Sequence, residues 1–167
     1  MIAGQREEEV AAFCERWYHE EVRRFLVPEV RDLLEWHRSQ GQRPVLISSS
    51  TVYLAAPLAA ELGVEDLLVT RLEVVEGRFT GRAVAPLCYG RGKVHWAERF
   101  AAEEGIDLGA SFFYTDSVTD VPLLERVGQP RVVNPDRLLR REARRRGWPV
   151  LRPGRASSSR PAAPAGG

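Results

Sequence analysis

Short apolar runs alternating with helical patterns restrict this chain to a layered α/β architecture. Val45-Leu46-Ile47 is fully apolar, the composition of a strand buried on both faces. Ser111 to Tyr114, Arg131 to Asn134 and Pro149 to Leu151 are further short strands. Helical spacing fills the intervals. Pro28 suits the first turn of a helix with Val30, Leu33 and Leu34 inward and Gly41 as its stop. Another helix runs through Leu54 and Leu58 to Gly63, with Pro57 as a point of kinking, and Lys93 to Glu104 closes on Gly105. Val121 to Val127 and Asp136 to Arg146 complete the set, the latter closing on Gly147. Strands alternating with helices imply a mostly parallel sheet covered on both faces. In such sheets ligands bind beyond the carboxyl ends of the strands.

Two segments depart from this rhythm. Leu67 to Val75 alternates as one strand, and Glu76-Gly77 turns it into a returning strand from Arg78 to Val84. From Glu7 to Phe25 the apolar positions Val10, Phe13, Cys14, Trp17, Val22 and Phe25 recur at helical spacing, predicting an amphipathic helix. Arg152 to Gly167 has almost nothing to bury and is expected to be a disordered tail.

Composition narrows the class. A chain of 167 residues with 44% apolar content is the size of one domain with a sizeable core, and a net charge of +1 gives no bulk attraction to nucleic acid or membranes. The arginines at 137, 140, 141 and 144–146 form a basic helix whose ordinary reading is a solvated face. Cys14 and Cys88 have no metal-ligand spacing, so a reduced, cytoplasmic chain is expected. No apolar run reaches the length of a membrane span, and residues 1–9 lack the apolar core of a signal peptide.

Three positions carry candidate chemistry. Asp116 and Asp120 stand where an apolar strand, Phe112-Phe113-Tyr114, gives way to a helical pattern. Such a pair can hold a hard divalent cation; Mg2+ takes one or two carboxylates and shares its other positions with water and phosphate. Their ordinary reading is capping, with Asp116 or Ser117 as N-cap and Asp120 favouring the helix dipole. Ser48, after the strand of Val45 to Ile47, offers a hydroxyl and free backbone amides to phosphoryl oxygens. Its ordinary reading is a turn before a helix that Ser50 or Thr51 caps. Lys93 opens a helix after Gly90-Arg91-Gly92, against the dipole, which points to an anionic partner; otherwise it is a solvated lysine. A Walker P-loop is excluded, because Leu87 and Val94 occupy positions that need Gly and Ser or Thr.

Ile47-Ser48, Gly92-Lys93 and Asp116 to Asp120 resemble, in order and spacing, the second, third and fourth motifs of haloacid-dehalogenase-type (HAD) phosphatases. Arg78-Phe79-Thr80-Gly81 precedes the lysine as it does in the phosphoserine-phosphatase-like subfamily IB. Val133-Asn134-Pro135-Asp136 with Arg145-Arg146-Gly147-Trp148 is similar to that subfamily's ending. The resemblance covers roughly residues 5–151. It implies a three-layer α/β/α Rossmann-like core over residues 27–151, a remnant of a helical cap over 1–26, and the tail over 152–167. It also implies a Mg2+-dependent phosphomonoesterase acting on a small phosphorylated metabolite. Ser48, with Ser49 beside it, would bind the phosphoryl group, and Lys93 would neutralise its charge. Asp116 would ligate Mg2+, with Asp120 as second ligand or outer support. An aspartate would attack phosphorus, leaving an aspartyl-phosphate that water cleaves.

The first motif of that family, DxDx[ST] on the central strand, has no counterpart here. No Asp precedes Asp32, which lies within a helical pattern. Residues 1–26 resemble the last part of the cap, so Met1 is expected to be an internal position of a longer protein. The strands flanking the missing one would face each other across a gap, giving a marginal chain, or would rearrange to close it. Alone, the chain is expected to be inactive. A non-catalytic phosphate-binding module and one half of a split phosphatase are the alternatives. Phosphoserine, histidinol phosphate and lipid head-group phosphates are equally compatible substrates.

Overall fold

Parallel pairing forms where the apolar runs stand, but in two separate pieces. In the computed structural model, which describes residues 2–152, the N-terminal helix α1 spans Glu7–Trp17 and continues through a π turn, Tyr18–Val22, and a 3-10 turn, Arg23–Phe25. Then follow α2 (Pro28–Ser39), β1 (Val45–Thr51), α3 (Val52–Leu62), β2 (Asp66–Thr70), β3 (Leu72–Val75), β4 (Arg78–Ala83) and α4 (Arg91–Glu104). The chain ends through β5 (Phe112–Thr115), a 3-10 turn at Val118–Asp120, α5 (Val121–Leu124), β6 (Gln129–Val133), α6 (Arg137–Arg146) and β7 (Val150–Leu151). The tail predicted over 152–167 lies outside the described residues apart from Arg152.

β1 and β2 pair in parallel, and β5, β6 and β7 form a second parallel sheet in that order. β3 and β4 make an antiparallel hairpin turned by Glu76 (φ 50) and Gly77 (φ 71), the left-handed pair that a two-residue hairpin loop requires. Among the described residues β1 does not pair with β5. The gap foreseen between the flanking strands is therefore present, and rearrangement has not closed it.

Two apolar clusters hold the layers. The larger joins Ala97 of α4, Phe113 of β5, Leu123 and Leu124 of α5, Val132 of β6 and Leu139 and Ala143 of α6. The smaller is built on Ala59, Leu62 and Val64, with Leu34 and Leu46 packed against it. Ile47 and Leu68 reach the larger cluster, so the two half-sheets share a core across the gap.

Several sequence expectations need correction. Leu67 to Val75 is two strands, because Arg71 separates the parallel partner of β1 from the antiparallel partner of β4. The helix expected over 121–127 is α-helical only over Val121–Leu124, preceded by the 3-10 turn at Val118–Asp120, and Gly128 N–H bonds to the carbonyl of Leu108 instead of continuing it. Along the N-terminal helical segment only Cys14 and Tyr18 are buried, whereas Phe13, Trp17 and Phe25 are exposed. The segment packs on α3, and that packing leaves Phe13, Trp17 and Phe25 uncovered.

A carboxylate fixes that segment. Glu61 of α3 accepts the Tyr18 hydroxyl at 2.7 Å and pairs with Arg23 and Arg31. The Tyr18 hydroxyl first, and then the two guanidiniums, hold its carboxyl below the usual range despite partial desolvation. A depressed folded-state pKa contributes stability above the unfolded pKa, and this is lost as pH falls through the folded value. Glu61→Gln should therefore melt below wild type at neutral pH, and the difference should shrink in acid. Melting curves at the two pH values check this.

Candidate functional site

Ser48 is the last residue of β1 in regular register with β2, opposite Val69; the register then slips before Thr51 meets Thr70. The strand runs on to Thr51, so Ser48 lies inside it and not just beyond its end, as the apolar run implied. Its Oγ accepts the Ser50 N–H at 3.1 Å, which leaves the hydroxyl proton free to donate. Ser49, next to it, is exposed. Thr51 occupies the N-cap of α3 but makes no side-chain cap hydrogen bond.

Lys93 lies in the first turn of α4 and is 7% exposed. A solvated surface lysine is ruled out. Its Nζ donates to Asp120 Oδ2 at 2.7 Å, so the anion that its place at a helix N-terminus calls for is supplied within the chain. Thr115 Oγ1 donates to the same oxygen at 2.7 Å. The other oxygen, Asp120 Oδ1, is buried without a partner. A buried carboxylate oxygen left this way calls for a donor or a cation.

The capping reading holds in part: Asp116 is not the cap, and Asp120 stands in the 3-10 turn and at the N-cap of α5 without a side-chain cap hydrogen bond. Ser117 is the cap: its Oγ accepts the Thr119 N–H. Asp120 is committed to Lys93 and Thr115, and Asp116 is exposed.

Two contributors were not singled out from the sequence. Thr115 orients Asp120, and the only advance sign was a hydroxyl beside Asp116. Cys88 is fully buried where the site converges, its Sγ donating to the Leu68 carbonyl at 3.3 Å. Burial pushes its thiol up; Lys93 and the Ser48 backbone pull it down, and Asp120 adds to the rise. Cys88 thus lies near the Ser48 backbone, Lys93 and Asp120. A lone cysteine without ligand spacing gave no signal of this.

The donor set suits a hard cation only in part. Among the described residues no group of three or more His, Cys, Asp or Glu side chains stands ready to hold a metal. Asp116 and the unpartnered Asp120 Oδ1 offer two carboxylates, which is the protein share Mg2+ usually takes when water and phosphate supply the rest.

Comparison with known proteins gives the family. The family model of haloacid dehalogenase-like hydrolases matches residues 1–125. A probable phosphatase of Mycobacterium tuberculosis is 41% identical over 165 residues, covering 99% of this chain and 57% of that protein. A histidinol-phosphatase of Neisseria meningitidis is 34% identical over 154 residues, covering 90% of this chain and 69% of the other. A solved structure from Bordetella pertussis, of unknown function, superposes with a TM-score of 0.83 at 35% identity, over 90% of this chain and 69% of that one. The chain spans about half the length of the curated mycobacterial relatives it matches, 57% and 49% in two cases.

The approach of α4 to the preceding loop depends on Gly92. A Cβ there would lie 1.8 Å from the Leu87 carbonyl oxygen. Gly92→Ala should displace the loop holding Cys88, cost at least ~1–3 kcal/mol by overpacking, and speed alkylation of Cys88. Thermal melts and thiol labelling measure both effects.

Proposed function

The chain belongs to the haloacid dehalogenase-like hydrolase family, and on that premise we propose that its residues form the phosphoryl-binding part of a Mg2+-dependent phosphomonoesterase site. The observation that carries this is the buried Lys93, held by Asp120 just beyond the carboxyl end of β5, with the unpartnered Asp120 Oδ1 beside it. A buried cation just beyond a strand's carboxyl end is a receptor for an anionic, oxygen-rich group. Relatives named phosphoserine phosphatase and histidinol-phosphatase support a small phosphate monoester as the substrate class.

In this reading Ser48 donates its hydroxyl to a phosphoryl oxygen, with Ser49 beside it, and Lys93 offsets the charge that spreads over those oxygens. Thr115 and Asp120 hold the ammonium in place, so little reorganisation is needed as the transition state forms. Asp116 and Asp120 Oδ1 would hold Mg2+, which when bound supplies further charge neutralisation at the phosphate. A carboxylate supplied from outside this chain attacks phosphorus and the ester P–O bond breaks, the leaving oxygen taking a proton from a general acid supplied with it. Water then displaces the carboxylate, releasing inorganic phosphate. Residues 1–26 belong to a cap over this site and 27–151 to its core. A cytoplasmic setting suits such a metabolite phosphatase. Among the described residues no helix is long and apolar enough to cross a membrane.

One observation favours a second reading, a non-catalytic phosphate-binding module. Asp120 is bound to Lys93 and Thr115, and Asp116 is exposed; neither is placed as a nucleophile.

Calorimetric titration of inorganic phosphate with Mg2+ tests the binding that both readings share. Phosphate should bind, and Asp116→Asn, at an exposed position, should weaken it at least ~10-fold, ~1.4 kcal/mol. Equal binding by wild type and variant would sink both readings. Hydrolysis of an aryl phosphate separates them. Turnover that appears when a carboxylate-bearing strand is added, and disappears in both Asp116→Asn and Lys93→Ala, supports the enzyme; phosphate binding without turnover supports the module.

A further inference from the structure

We propose that the outer face of α6 is a docking surface for an anionic lipid bilayer. The net charge of +1 conceals a strong segregation of charge. Residues 126–167 hold eleven arginines, no lysine and two carboxylates, Asp136 and Glu142, whereas residues 1–125 carry 21 acidic side chains against 13 basic ones. Such asymmetry along a chain points to a polyanionic partner. The basic excess is densest in α6, with six arginines and one glutamate in ten residues.

The fold turns that excess outward. Leu139 and Ala143 are fully buried against the larger apolar cluster. At about 100° per residue, the opposite side of the helix carries Arg137, Leu138, Arg141, Arg144 and Arg145, and all five are exposed. The nearby carboxylates are already engaged. Glu142 pairs with Arg145 and Arg146, and Glu125 with Arg146. Asp136 caps the Leu139 N–H at 2.8 Å. Arg137, Arg141 and Arg144 are thus left without an ion pair among the described residues. Helical rise sets Arg137 and Arg144 ~10 Å apart along the axis.

A merely solvated face does not account for this pattern. Solvated helices interleave charges of both signs at three- and four-residue spacing, which supports the helix. Here Arg137 and Arg141, Arg140 and Arg144, and Arg141 and Arg145 stand four apart with like charge, which opposes it. Arg137 also opens the helix, against the dipole. The face therefore works against the fold, and a partner that brings negative charge relieves it.

Leu138 decides between polyanions. It is 51% exposed among these arginines. A nucleic-acid backbone would set it against phosphates, and the face holds no aromatic or amide side chain to stack on bases or read their edges. A bilayer surface accepts both parts, the arginines among anionic head groups and the leucine at the acyl boundary. This inference rests on α6 and stands apart from the phosphatase reading.

Co-sedimentation of the full chain with vesicles of phosphatidylserine and phosphatidylcholine tests it, with vesicles of phosphatidylcholine alone as control. Binding should require phosphatidylserine and weaken as salt rises. Arg137→Glu and Arg141→Glu each reverse a charge on the face and should weaken vesicle binding at least ~10-fold. Both should also raise the melting temperature of the free chain, because each replaces like-charge neighbours with opposite ones; that rise separates lost binding from lost folding. Leu138→Gln, at an exposed position, should weaken vesicle binding ~3-fold or more. Absence of binding to the phosphatidylserine vesicles overturns the proposal, as does equal binding to the control vesicles. Binding to a DNA duplex of mixed sequence, with none to vesicles, overturns it in favour of nucleic acid. Vesicle binding that all three variants leave intact would lie elsewhere on the chain and overturns the assignment to α6.

Discussion

The buried ion pair between Lys93 and Asp120 is the constraint to which the rest of the molecule is fitted. It ties the first turn of α4 to the segment after β5, with both side chains almost completely withdrawn from water. Removing one member of such a pair strands a buried charge, at a cost of ~3–5 kcal/mol. The tie needs α4 to begin close to its surroundings. Gly92 admits the Leu87 carbonyl where a Cβ would collide, and Gly90, at φ 52, brings the chain within reach of the Thr119 carbonyl. Thr115 then completes the oxygen that Lys93 leaves half-satisfied.

The same pair explains how a divided sheet keeps one frame. β1–β2 and β5–β6–β7 share no strand pairing among the described residues. What links them is α4, whose Ala97 joins the cluster reached by Ile47 and Leu68 from one half-sheet and by Phe113 and Val132 from the other. The ion pair anchors the start of that helix on the side where Ser48 and Cys88 lie. Chemistry and packing are thus concentrated at the same end of the strands, the end at which α/β sheets bind ligands.

Much of this architecture was legible in the sequence. Continuous apolar runs marked β1 and β5, Gly63, Gly105 and Gly147 marked helix ends in left-handed conformation, and Glu76-Gly77 marked the hairpin. The order of serine, lysine and paired aspartates resembled the family's motifs, and the family is the one the chain belongs to. What the sequence could not convey was who faces whom. Local periodicity does not tell a core face from one that α3 fails to cover, so Phe13 and Trp17 looked inward. Nor does alternation show a change of sheet, so the break at Arg71 between β2 and β3 was invisible. Thr115 and Cys88 matter through long-range geometry, and a lone hydroxyl and a lone thiol carry no spacing signature.

Cys88 gives the site a built-in timer. It is the one buried residue in an otherwise open loop, flanked by Leu87 and Tyr89, each more than half exposed. Burial also holds its proton more tightly than an ordinary thiol's, and only the thiolate reacts. Modification must therefore wait for the loop to lift, so the rate at which Cys88 disappears under an alkylating reagent counts the openings of the candidate site itself. Any occupant that holds Ser48, Lys93 and Asp120 together would be seen as a slower clock, without a label being introduced.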